Sequence, residues 1–64
     1  MKLKDILAVV KPNEKIKISC IDVDGTVYEW SFFANNVPLG FWDRRVEKLH
    51  NGSQSEGLCV QINN

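Results

Sequence analysis

The chain reads as an α+β domain, with an N-terminal amphipathic helix packed on an antiparallel sheet of about four strands arranged as two hairpins. Three observations point there. Leu3, Ile6, Leu7 and Val10 recur at helical spacing, two alternating arms flank Val23-Asp24-Gly25, and Leu58, Val60 and Ile62 alternate with Cys59, Gln61 and Asn63. At 64 residues this is a single domain, residues 1 to 64, near the lower size at which one core stabilises itself. Hydrophobic residues make up 44% and charged residues 25%, which favours a folded chain over a disordered one.

The helix comes first. The stripe of Leu3, Ile6, Leu7 and Val10 faces inward, while Lys2, Lys4, Asp5 and Lys11 take the remaining surface. Lys11 precedes Pro12, which pushes it out of the helical region, so the helix should stop by Val10 or Lys11. Such a short helix needs a surface to lie on.

That surface is the hairpin from Lys15 to Phe33. A three-residue loop with Gly25 at its last position suits the positive φ that glycine adopts at no steric cost. The loop sets Asp22 opposite Thr26, and below it Cys20 meets Tyr28, Ile18 meets Trp30 and Ile16 meets Phe32. One face becomes wholly apolar and should lie under the helix. Ile21, Val27 and Phe33 fall on the other face.

Ala34 to Gly40 has turn composition and is expected as a crossing loop. Phe41 to His50 fits two descriptions: a second helix over 41–50 above a three-stranded sheet, or a strand from about Val46. The polar loop Asn51 to Gly57 leads to the half-buried strand Leu58 to Ile62, on which Cys59 should point away from the core as a partly exposed thiol.

Taken together, Lys2-Leu3-Lys4-Asp5-Ile6-Leu7, Lys15-Ile16-Lys17-Ile18, Asp24-Gly25 with Tyr28, Val37-Pro38, Asp43-Arg44-Arg45-Val46 and Leu58-Cys59-Val60-Gln61-Ile62 give the chain a likeness over its whole length. It resembles short uncharacterised proteins encoded by phages, prophages and other mobile elements of Gram-positive bacteria. The resemblance implies a short helical turn after Val37-Pro38. It also implies a second hairpin of Arg44 to His50 with Leu58 to Ile62, and it brings no activity with it.

Function is argued mostly by exclusion. No N-terminal apolar run has signal-peptide or membrane-span length, so a cytoplasmic chain with reduced Cys20 and Cys59 is expected. Two cysteines and His50 make no standard zinc spacing, and no cofactor is expected. Cys20-Ile21-Asp22-Val23-Asp24-Gly25-Thr26-Val27 resembles the first motif of haloacid-dehalogenase-type phosphatases, in which the first Asp is the nucleophile and the second a general acid. That chemistry needs a doubly wound sheet and further phosphate and metal ligands, and no second acidic cluster follows Thr26. Asp22 and Asp24 read instead as a hairpin turn.

The surplus is aromatic. Phe33, Phe41 and Trp42 cluster around the crossing loop beside Arg44 and Arg45, a composition enriched at protein interfaces. These five are the expected partner-binding residues. The expected function is a non-catalytic binding module of a phage or mobile element, inhibiting a host defence protein or pairing with itself as a homodimer. The alternative is a nucleic-acid-binding accessory protein using Lys2, Lys4, Lys11, Lys15 and Lys17 with Arg44 and Arg45; a minimal Mg²⁺-dependent phosphatase ranks third. The formal net charge of zero supplies no general attraction to nucleic acid.

Overall fold

A computed structural model describes residues 1–63. Helix α1 covers Leu3–Leu7, strands β1 and β2 cover Lys15–Ile21 and Val27–Phe33, and β3 and β4 cover Val46–Asn51 and Leu58–Ile62. The strands form one sheet in the order β2-β1-β4-β3. Val46–Asn51 is a strand, so the second-helix alternative for 41–50 is wrong.

The first hairpin has the register that its loop dictates. Ile16 pairs with Phe32, Ile18 with Trp30 and Cys20 with Tyr28. Gly25 sits at φ +91°, its N–H donates to the Asp22 carbonyl, and the Asp22 N–H donates to Thr26 O. Asp22 and Asp24 also accept bonds from the backbone N–H groups of Val23 and Thr26.

The sheet as a whole is mixed, not antiparallel. Both hairpins are antiparallel, but β1 and β4 run parallel, with Ile16 beside Leu58, Ile18 beside Val60 and Cys20 beside Ile62. The physical reason lies in β4, whose Cys59, Val60 and Ile62 are all buried. A strand shielded on both faces belongs in the middle of a sheet. The long stretch between β2 and β3 carries the chain across so that β4 can enter beside β1.

The helix is also shorter than its stripe. Beyond Leu7 the chain continues through Ala8 to Val10 in looser turns, held by bonds from the N–H groups of Ala8 to Lys4 O and of Val9 and Val10 to Ile6 O. Two adjacent β-branched valines with Pro12 close behind weaken helix extension. The stripe survives in space: Leu3 and Ile6 are buried in one core with Ile16, Ile18, Cys20, Ala34, Val37, Val60 and Ile62, and Leu7 and Val10 pack on it. Asp5 caps the helix start, accepting the Lys2 N–H at 2.9 Å.

This core sits over the two central strands. The expectation that the helix would cover the whole first hairpin is therefore corrected: Phe32 is half-buried, but Tyr28 and Trp30 on the same face remain 47% and 36% exposed. Five helical residues reach no further.

Beyond β2 the crossing segment makes one 3₁₀ turn at Ala34–Asn36 and, after Val37-Pro38, a second at Leu39–Phe41. The loop between β3 and β4 folds back over the helix-free face, and with it Cys59. That thiol does point away from the core, as its place in the alternation requires. It is nevertheless buried, against the expectation of a partly exposed group.

Candidate functional site

The two outer strands differ in how well their free edges are guarded. Strand β3 contains a bulge between Val46 and Lys48, and carries Glu47 and Lys48. The N-terminal residues lie along its start: Lys2 bridges Arg45, the Val46 N–H donates to Met1 O, and the Leu3 N–H donates to Arg44 O. Bulges, charge and covering segments are the usual means by which a sheet edge avoids pairing with another chain.

Strand β2 has no bulge and a single charged side chain, Glu29. It pairs with β1 in unbroken register over seven residues and contains no proline and no lysine. Its hydrogen-bonding direction follows from the two ends of the ladder, where Asp22 N–H donates to Thr26 O and Ala34 N–H donates to Glu14 O. The alternation between those ends makes the pairs at 28, 30 and 32 the hydrogen-bonded ones, so the N–H and C=O groups of Val27, Glu29, Ser31 and Phe33 point outward. Glu29 is the only charged side chain on the strand, and its carboxylate lies 3.3 Å from the Lys17 amine on β1.

A row of rings runs along the same strand. Tyr28 stacks on Trp30 with centroids 6.3 Å apart, Trp30 meets Phe41 edge-on at 5.0 Å, and Phe41 tilts against Phe32 at 5.8 Å. The inner end of the row, Phe41 and Phe32, packs against the core; the outer end faces solvent.

No match to this chain is found among protein-family models, curated proteins or solved structures. The site therefore rests on its own geometry.

The five residues expected to bind a partner do not form one patch. Phe33 lies on the helix-free face and is 50% exposed, with Ile21 and Val27 farther along that face. Phe41 is half-buried as a member of the ring row, and Trp42 is half-exposed with its indole N–H donating to Val37 O at 2.9 Å. Arg44 is turned inward, its guanidinium donating to Asn63 O, and the Arg45 backbone N–H donates to the Asn63 side-chain oxygen. The Arg44 side chain and the Arg45 backbone are thereby tied into the β3 end of the sheet, away from β2. The residues that sequence reasoning missed are Tyr28 and Trp30, assigned to the core because their strand face is apolar. The available signal was quantitative: the helical stripe is too short to shield two strands and the outer one as well.

Two of the candidate lysines have carboxylate partners. Among the lysines expected to contact nucleic acid, Lys17 is bonded to Glu56 at 2.9 Å and lies near Glu29, and Lys4 lies 3.4 Å from Asp43. The Glu56 and Glu29 carboxylates hold the Lys17 amine above its ordinary range, and Glu56 is pulled down by Lys17 and by the Ser53 N–H and hydroxyl. Asp24 is pulled down by the Thr26 backbone N–H. No group of three or more His, Cys, Asp or Glu side chains suited to a metal ion gathers among the described residues.

Proposed function

We propose that this chain is a non-catalytic protein-binding module that takes up an extended segment of its partner along β2. The observation that carries the reading is the coincidence, on one strand, of a free main-chain edge and a partly exposed ring row. An added strand would bond to the outward N–H and C=O groups of Val27, Glu29, Ser31 and Phe33, while its alternate side chains would lie against Tyr28 and Trp30. Main-chain bonds supply affinity there, and aromatic contacts of this kind supply the discriminating part of an interface.

The likeness to mobile-element proteins supports a host protein as the partner, and inhibition follows if the captured segment is one the host protein needs. Glu29 lies 3.3 Å from the Lys17 amine, which offsets part of its charge toward an incoming strand. Ion pairing of Lys4 and Lys17 leaves fewer free cations than the sequence offers, which weighs against the nucleic-acid reading.

The test is affinity capture with the full chain and a Ser31→Pro variant. Proline at 31 removes one outward N–H and no bond to β1, the position at which an edge strand tolerates it. A host protein held by the parent chain and released by Ser31→Pro is the expected result. Equal capture by both, with the variant folded, would overturn strand addition as the mode of binding.

A further inference from the structure

We infer that the β2 edge pairs with β2 of a second copy of this chain, antiparallel and centred on Trp30, joining two four-stranded sheets into one of eight. This inference rests on the reading of β2 as the binding edge and names what occupies that edge in the chain alone, before a host segment displaces it.

The register follows from the residues. A two-fold axis perpendicular to the sheet keeps both helices on one side and allows only pairings that match face with face. With the axis at Trp30, all seven residues of each strand are used. Val27 then lies opposite the partner's Phe33, Tyr28 opposite the partner's Phe32, Glu29 opposite the partner's Ser31, and Trp30 opposite its own counterpart. The outward groups of Val27, Glu29, Ser31 and Phe33 in both copies supply about eight main-chain hydrogen bonds.

Neighbouring registers do worse. An axis at Glu29 sets two carboxylates directly opposite each other, which is destabilising, and leaves the Phe33 end beyond the partner's strand. An axis at Ser31 runs Val27 past the partner's β2 into its 3₁₀ turn at Ala34–Asn36. Only the Trp30 axis pairs apolar with apolar at every large side chain and keeps the charged residue against a hydroxyl.

Three further observations favour a second copy over an unrelated strand. The strand is self-complementary from end to end, a property that an edge reserved for a foreign segment has no need of. The formal net charge of zero means that two copies do not repel. The pairing closes on itself and consumes both unguarded edges, since the outer strands of the joined sheet would be the two bulged and charged β3 strands. A homodimer thus ends the edge problem instead of propagating it into a fibre.

Sedimentation of the intact chain over a wide concentration range, with amide hydrogen exchange at both ends of that range, tests the inference. The expected result is a shift from one to two chain masses. The N–H groups of Val27, Glu29, Ser31 and Phe33 should gain tenfold or more protection in the dimer, and Ser31→Pro should remain a monomer with an unchanged circular dichroism spectrum. A chain that stays monomeric throughout, or a dimer in which those four amides exchange as fast as in the monomer, would overturn it. The exchange measurement uses the parent chain and holds whether or not the proline variant folds. A monomeric chain whose host protein is captured through β2 and released by Ser31→Pro removes the self-pairing and leaves the binding reading intact. A chain that does neither removes both.

Discussion

Gly57 and Lys15 meet backbone to backbone at the point where the polar loop enters β4. Gly57 has φ +73°, and a Cβ placed on it would fall on the carbonyl oxygen of Lys15, the first residue of β1. This approach lets β4 begin beside β1, with Leu58 in register with Ile16. The parallel join of the two hairpins depends on there being no side chain at 57.

Gly57→Ala is therefore expected to destabilise the fold by roughly 3 kcal/mol or more, combining left-handed backbone strain with a clash against main chain that cannot move aside. Gly25 is the control. It also has positive φ, but nothing lies within 4 Å of its would-be Cβ. Gly25→Ala should cost only about 1 kcal/mol. Urea unfolding of both variants checks the contrast, and equal losses would show that space at 57 is not the limiting factor.

The first hairpin was legible because one residue, Gly25, fixes where the strands turn, and the alternation on either side does the rest. The inward stripe of Leu3, Ile6, Leu7 and Val10 was legible for the same reason, although the helix under it ends at Leu7. Strand order was not. A hairpin's register is local, whereas the docking of β4 on β1 brings together residues far apart in the chain, as in the close approach of residues 15 and 57. No period in the sequence carries that contact. The ring row was half legible: alternation placed Tyr28 and Trp30 on the correct face, but only the reach of the covering elements says which rings on that face stay wet.

The charges on the helix-free face give stability a pH window. Lys17 links β1 to Glu29 on β2 and to Glu56 in the loop before β4. Its amine is held above the ordinary value of 10.5, so its contribution is fully present below that pH and is lost as pH rises through the raised value. Glu56 is held below its ordinary 4.5 and Asp24 below 3.8, so their contributions are present above those values and are lost as pH falls through the lowered ones. The melting temperature should be flat between these limits and fall on either side. Lys17→Met should remove the alkaline fall and shrink the acid one, leaving the parts due to Asp24 and to the Ser53 bonds of Glu56, and Asp24→Asn should then reduce it further. An unaltered alkaline limb in Lys17→Met would assign it to other groups.

Neighbouring isoleucines on β1 and at its end should differ sharply in what they contribute. Ile18 is fully buried between Trp30 on β2 and Val60 on β4, whereas Ile21 lies on the open face and is 45% exposed. Ile18→Ala removes a side chain from the centre of the core and is expected to cost about 3–4 kcal/mol. Against a total of about 5 kcal/mol for a domain of this size, that leaves a substantial unfolded fraction at 37 °C. Ile21→Ala should cost about 1 kcal/mol or less. Circular dichroism melts of the two variants measure the difference, and a large loss at Ile21 would mean that the open face is covered in solution.

Cys59 reports on the loop that covers it. Its thiol lies under the turn from Gly52 to Gly57, closed by bonds from the Gly52 N–H to Gly57 O and from the Gly57 N–H to Ser53 O. A Cβ on Gly52 would come within 2.7 Å of the Cys59 sulfur, so the loop has no slack above it. A thiol-alkylating reagent should therefore modify Cys59 only when that loop opens, and Cys20, inside the core, only when the domain unfolds. Two rates are expected, with Cys59 the faster, and Gly52→Ala should speed Cys59 by tenfold or more while changing Cys20 much less. Mass spectrometry of the alkylated chain under native conditions separates the two sites. Equal rates at both would mean that the loop and the core open together as one cooperative unit.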